Sequence, residues 1–535
     1  MAEQISIRGS QIEPVENRLP GRIMENNTLA MKKFLRNYRR LRNRLAAAPL
    51  LESLEVIHAY MVFFQFKTPL PAWIKPIENF ETRDKIELGL FEWELDILCR
   101  ELLRYASRWG TLNFAHWDGL ADAINHMKEI HDDVQSAYSD ILDTKIMSEV
   151  FRIQNQQFPW QTKPSSRWLV RYLKIFGVKE LDEMVVQKVG LPVEKILRIG
   201  MAFFAIYMKN FSQGIPIAVD NKFATTEEMS TFVKHFSSQF WNLFEESEKS
   251  GSMGEDFIYV RNPLVVKPLI LHDLNGSMEL VCPVPNYLIR RVSEGLYYDI
   301  CALPNFSDFF GPAFQSYVGE MFEAANRAGT FEITPEETYI SGGSPKHTID
   351  WIVSDKTAHL FVECKTKRIT YLAKTKVLDS SALDADVKEF GKAVAQMYKA
   401  LQAALDGEHP LWTGDNRPIY PMVAMLEDFY SVGLYEPIRK VAIERLGKAG
   451  IDAKLMDQYP FTLASVWDLE LAVLIMSDVG IETFMSRKVN GEPKEWDLQA
   501  YTMNNFRDKL KGMNGSLFPE EMDRIFPGLA QGKGR

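Results

Sequence analysis

Cysteine is scarce: Cys99, Cys282, Cys301 and Cys364 are the four in 535 residues, and no two form a CxxC pair. That spacing argues against a disulfide framework or a thiolate zinc cage and suits reduced core or spacer thiols. The nine histidines show no ligand spacing, and His126 and His131, five apart, read as surface or cap residues. Long apolar runs are missing as well. The longest clean one, Gly200 to Met208, falls far short of the roughly 20 residues that a membrane helix needs, so no membrane partner is expected. The opening Met-Ala-Glu-Gln-Ile-Ser has no secretory hydrophobic region, and cytoplasm is the expected location. Net positive charge is also lacking. With 62 Lys and Arg against 71 Asp and Glu, the chain carries −9. Phosphate binding is largely electrostatic, so any nucleic-acid contact has to come from locally basic surface.

What remains is enough to bury cores: 46% hydrophobic residues, 25% charged, and a length that suits two or three domains. Residues 28–248 read as mostly α-helical, with a break from Phe158-Pro-Trp-Gln161 to Pro164-Ser-Ser166 and no repeat. Residues 226–248 read as one amphipathic helix with Phe232, Phe236, Phe240, Leu243 and Phe244 on its apolar side. Ser250 to Gly254 reads as a linker. Leu264 to Leu271 and Met278 to Cys282 then read as strands joined through Asn275-Gly276, a hairpin signal. A helix carrying Leu288, Val292, Leu296 and Tyr297 follows. The expected division is a helical region at 1–250, a β-hairpin connector at 255–305, a domain at 306–480 and a polar tail at 481–535, disordered at its end (531–535).

The most specific chemistry lies between Thr348 and Lys367, TIDWIVSDKTAHLFVECKTK. Residues 349–353 and 359–364 are short, β-branched and aromatic, and Ser354 to Thr357 reads as the turn between them. Side chains alternate along a strand, which puts Glu363 and Lys365 on one face and Leu360, Val362 and Cys364 on the other. Pairing through the turn brings Asp350 to the Glu363 end. Two close carboxylates can bind one Mg²⁺ and leave sites for water and phosphate. The metal would activate water, and Lys365 could orient it or stabilise charge on phosphorus. An acid-x-Lys triplet alone says little, since Asp143–Lys145, Asp220–Lys222, Asp386–Lys388 and Asp452–Lys454 repeat it without the strand context. By itself, Glu363–Lys365 reads rather as a solvated charge pair.

The order of elements adds the weight. Phe314, Tyr317, Val318, Met321 and Phe322 form a helical stripe over 312–326, with Pro312 suited to the first turn. A strand is expected at 331–340, a Ser341-Gly-Gly-Ser344 loop, and then the two strands above. Leu383, Val387, Phe390, Val394, Met397, Leu401 and Leu405 mark a long amphipathic helix, and Ile419 to Leu426 a further strand. Helix, three strands, helix, strand, with acids on the second and third strands, resembles the PD-(D/E)xK (restriction-endonuclease-like) nuclease superfamily over about residues 306–430. The resemblance implies an α/β fold, a mixed sheet flanked by helices, behind the mostly α-helical N-terminal region. It implies Asp350 and Glu363 as ligands of Mg²⁺ or Mn²⁺ and Lys365 as the catalytic lysine. Glu320 best matches the first-helix acid that many members use as a further metal ligand, with Gln315 the uncharged alternative. Gln396 matches a second-helix glutamine, whereas Tyr398 follows it by two residues rather than four. Ile349 stands where the motif has proline.

The function this implies is metal-dependent hydrolysis of nucleic acid, DNA preferred over RNA. By analogy with its architecture the enzyme would be regulated, a phage-defence effector whose helical N-terminal region binds a protein or ligand trigger. The rival is an inactive nuclease fold kept as a binding or sensor module, with a non-nuclease hydrolase third. Lys367, Arg368, Lys374 and Lys376 cluster after the catalytic strand as candidate phosphate contacts. The other basic stretch, Lys32 to Arg44, reads as a backbone-binding helix or a solvated helix surface. Phe151, Phe158, Trp160 and Trp168, with the glutamines among them, are a recognition surface or core under a loop. A homodimer is expected from the need to cut two strands, although no heptad seam is present.

Overall fold

The computed structural model describes residues 29–137, 146–161, 166–217, 223–250, 254, 256–274, 276–326, 328–377, 379–427, 433–512 and 517–525. Residues 251–253 of the expected linker, Asn275 of the expected turn, Pro164 and Ser165 of the expected break and the end at 531–535 lie outside them.

The N-terminal half is helical, as its periodicity indicated. Helices α1 (Leu29–Leu45), α2 (Leu50–Phe66), α3 (Glu92–Tyr105) and α4 (Trp117–Ala137) surround one apolar core. On α1, Phe34, Tyr38, Leu41 and Leu45 are buried while Lys32, Lys33, Arg36, Arg39 and Arg40 stay in solvent. Next come α5 (Ser166–Phe176), α6 (Val193–Tyr207), α7 (Thr226–Phe236) and α8 (Phe240–Ser250).

The single helix expected at 226–248 is in fact two. Ser237–Gln239 leaves the helix and pairs in parallel with Leu269–Leu271. Serine is a weak helix former, and here the backbone gains ladder hydrogen bonds instead. The resulting small sheet consists of β1 (Ser212–Gly214), β2 (Ser237–Gln239), β3 (Leu269–Leu274) and β4 (Ser277–Val281) in the order β1-β4-β3-β2. The β3–β4 hairpin thus forms with two short strands of the helical half at its sides. Residues 264–268 are outside it, with Pro263–Val265 in a 3-10 turn. Its alternation divides two cores: Leu269 and Leu280 face one, Ile270 and Val281 the other.

The C-terminal half is three-layered. Beyond α9 (Pro285–Val292) and α10 (Phe306–Ala325) lie β5 (Glu332–Pro335), β6 (Thr338–Ser341), β7 (Ser344–His347), β8 (Trp351–Ser354) and β9 (His359–Lys365). Then follow α11 (Tyr371–Thr375), α12 (Ser381–Leu405), β10 (Ile419–Met425), α13 (Tyr435–Lys448), β11 (Thr462–Ser465), α14 (Val466–Val479), α15 (Ile481–Val489) and α16 (Leu498–Asn505). The main sheet runs β11-β10-β9-β8-β5: β11, β10 and β9 are parallel, and β8 and β5 antiparallel to their neighbours. On one face Val353, Leu360 and Val362 pack with α10 and α14; on the other Ile352 and Phe361 pack with α12 and α13.

Three local expectations change. The strand at 331–340 breaks after Pro335, and β6 and β7 form a separate hairpin with Gly342 and Gly343 at positive φ in its turn. Helix α10 starts six residues before Pro312, because Phe306 and Phe310 also bury into the core; the proline is interior. The segment after 481 is helical, and Phe484, Met485, Leu498, Tyr501 and Phe518 are buried with α5, α6 and α10. That shared core joins helices of the N-terminal half to the C-terminal sheet.

Candidate active site

The β8–β9 hairpin closes on Asp355, whose Oδ1 accepts from the N–H groups of Thr357 (2.7 Å) and Ala358 (2.9 Å) and from the Thr357 hydroxyl (2.6 Å). That turn fixes the register Trp351↔Val362. One step further, Asp350 falls opposite Glu363, and its Oδ2 accepts from the backbone N–H of Cys364 at 2.6 Å. Glu363 is 3% exposed and meets Lys365 Nζ at 2.7 Å on the same strand face. Lys365 Nζ lies 3.4 Å from Gln396 Oε1 on α12, so the amide holds the ammonium from the next layer.

Asp350, Glu363, Lys365 and Gln396 line one cleft of about 1060 Å³, at the C-terminal end of β9. Burial pushes the Asp350 carboxyl up to about 7, reinforced by Glu363 and opposed by the Cys364 N–H and Lys365. Burial raises Glu363 too, against the pull of Lys365. Although burial disfavours its charge, Lys365 is held above the usual lysine range by Glu363 and Asp350. Cys364 packs toward the opposite core, and burial pushes its thiol well up, so it is a spacer rather than a nucleophile.

Glu320 lies elsewhere. Its carboxylate accepts from Lys174 Nζ on α5 at 2.8 Å and lines a different cavity. Of the two α10 candidates it is Gln315, five residues earlier and on another face, that lines the cleft. Gln315 Nε2 donates to Glu336 Oε2 at 2.9 Å, and Glu336 adds its negative charge to both Asp350 and Glu363. Glu336 sits just past β5, in a loop without any motif, and only the fold brings it to the site. Tyr398 is fully buried and donates to the Tyr459 carbonyl, away from the cleft.

The expected phosphate contacts are largely engaged. Lys367 pairs with Asp386 (3.0 Å), Lys374 with Glu427 (2.8 Å) and Lys376 with Asp256. Lys367, Arg368 and Lys374 line the cleft, while Lys376 faces Asp256 outside it. Of the aromatic cluster, Phe151, Trp160 and Trp168 are buried in three separate cores, and Phe158 is half-buried.

Asp350 and Glu363, with Glu336 near, present hard oxygen donors. Burial first, and the neighbouring acids second, raise both carboxyls against the pull of the single Lys365 ammonium. Mg²⁺ is commonly bound by one or two carboxylates plus waters and substrate phosphates, and this donor set fits it. Among the described residues no three His, Cys, Asp or Glu side chains are gathered as a preformed metal cage. No family model, curated protein or solved structure matches the chain.

Proposed function

We propose that the protein is a Mg²⁺- or Mn²⁺-dependent nuclease, built on a restriction-endonuclease-like core. The observation that carries this reading is the Asp350–Glu363 pair, held across two strands with Lys365 on the same face at the floor of a large cleft. The order α10, β5, β8, β9, α12, β10 and the mixed sheet with helices on both faces support the fold assignment. Asp350 and Glu363 would hold the ion; bound there, it would supply an activated water and offset charge on the scissile phosphate. Lys365, steadied by Gln396, places a cation where an attacking oxygen or a phosphate oxygen approaches Glu363. Glu336 extends the acidic wall, and Gln315 fixes its carboxylate.

DNA is the preferred substrate in this reading, and the helical N-terminal region is where a regulatory trigger would act, as in a phage-defence effector. The test is cleavage of DNA and RNA by purified protein with Mn²⁺, beside Asp350→Ala, Glu363→Ala and Lys365→Ala. Each substitution is expected to lower the rate by about 10²–10³-fold or more while the protein stays folded. Intact substrates, with cellular function surviving Lys365→Ala, would favour an inactive nuclease fold that binds or senses.

A further inference from the structure

We propose that the cleft takes single-stranded rather than duplex nucleic acid, with bases stacking along a ladder of tyrosines and guanidiniums on its wall. This inference rests on the nuclease reading for the identity of the ligand and deepens it to a substrate class.

The ladder alternates Tyr371, Arg261, Tyr298, Arg368 and Tyr297, all lining the cleft that holds Asp350 and Glu363. Arg261 lies 4.8 Å from the ring centre of Tyr371 and 5.8 Å from that of Tyr298; Arg368 lies 5.4 Å from Tyr298 and 4.1 Å from Tyr297. Tyr298 and Tyr371 are 55% and 40% exposed, which is far from the burial of a tyrosine serving the core. They belong to different segments, one following α9 and the other opening α11, and only the fold sets them on one wall. Among the described residues the Arg261 guanidinium has neither a carboxylate partner nor a hydrogen-bond acceptor, which leaves it available to a phosphate or a base plane.

Charge decides against a duplex. A duplex presents two phosphate backbones, and its affinity grows with the number of phosphates neutralised. The ammonium groups around this cleft are already spent on acids: Lys365 on Glu363, Lys367 on Asp386, Lys374 on Glu427. The whole chain carries −9. Single strands are gripped differently, by aromatic rings on which successive bases stack and by arginine planes among them. Two guanidiniums without an ion pair among the described residues, Arg261 and Arg368, set between tyrosine rings suit that mode and supply little for the other.

Binding without cleavage tests this. Labelled oligonucleotides about 16 nucleotides long, as single strands of DNA and of RNA and as duplex, are titrated with the full-length protein in EDTA. A single strand of either sugar is expected to bind at least about tenfold tighter than duplex. Tyr298→Ala and Tyr371→Ala should each weaken single-strand binding about tenfold, with Phe at either position restoring it. Arg261→Ala should reduce the salt slope by about 0.7. Both tyrosines are exposed, so these variants should melt like the wild type. Duplex bound as tightly as single strand, or alanine variants binding single strands normally, would overturn the inference. Single strands bound in EDTA but left uncut with Mn²⁺ would uphold the ladder and remove the nuclease reading. Duplex cut at the wild-type rate by the Tyr298→Ala/Tyr371→Ala double variant would do the reverse.

Discussion

Asp350 Oδ2 accepts from the backbone N–H of Cys364 at 2.6 Å, across the strand pair and beside Glu363. The same bond that fixes one acid therefore sets its distance from the other. Half-buried Asp350 and buried Glu363 share this corner, with the Lys365 ammonium as the nearest counter-charge.

That crowding has a cost that pH controls. With Asp350 raised to about 7 by burial and by Glu363, the native protein holds a proton that an unfolded aspartate, near 3.9, releases. The stability tied to that proton is complete below about pH 4 and is lost as the pH rises through about 7. In EDTA, Asp350→Asn should melt above the wild type at pH 8, with a smaller gap at pH 5.5, while cleavage is lost at both. Mn²⁺ should raise the wild-type midpoint and leave that of the variant unmoved. A variant melting below the wild type at pH 8 in EDTA would contradict the proximity of the acids.

The exchange of Glu320 for Glu336 is also open to measurement. Glu336→Gln removes a charge facing both acids but keeps an acceptor for Gln315, and is expected to lower Mn²⁺-dependent cleavage by about 10–100-fold. Glu320→Gln only loosens a half-exposed pair with Lys174, worth about 1 kcal/mol or less, and should leave the rate nearly unchanged. The opposite ranking in a side-by-side rate assay would return the first-helix acid to the site.

Gly319 sets how closely α10 approaches the sheet. A Cβ there would collide with the indole of Trp351, whose Nε1 donates to the Gln315 carbonyl at 2.9 Å. Trp351 directly follows Asp350. Gly319→Ala should therefore cost about 1–3 kcal/mol in chemical denaturation, as overpacking does, and also slow cleavage. Wild-type stability in the variant would mean that the indole moves freely aside.

What could be read in the chain follows from how local each feature is. The Asp350–Glu363–Lys365 trio was legible because one tight turn and strand alternation place all three. Glu336 was not, since the loop that delivers it is followed by the β6–β7 hairpin and only long-range packing turns it toward the acids. The basic cluster looked free because its partners are remote in sequence: Glu427 is 53 residues from Lys374, and Asp256 is 120 from Lys376. The break at Ser237–Gln239 hid behind continuous phenylalanine spacing, because the strand that recruits it lies some thirty residues on. The segment after 481 read as polar tail because its helices are short, each giving only a few apolar positions to a core built elsewhere.

Arg171 on α5 and Glu470 on α14 join the two halves of the chain. Arg171 donates to both oxygens of Glu470, at 2.6 and 2.9 Å, and the Tyr317 hydroxyl of α10 donates to one of them at 2.6 Å. Arg171 is 2% exposed and Glu470 is wholly buried. Such a pair adds little net stability over apolar packing, but removing one member strands the other charge without water. Glu470→Ala should accordingly cost about 3–5 kcal/mol, read as a lower midpoint in urea. The triple variant Arg171→Met, Glu470→Leu, Tyr317→Phe removes all the polar groups together and should recover most of that loss. Because α10 also carries Gln315, Glu470→Ala should slow cleavage even where the protein is still folded, and the triple variant should cleave faster than the single one. A single variant with the wild-type midpoint would show that water reaches Arg171 and that the halves are not locked there.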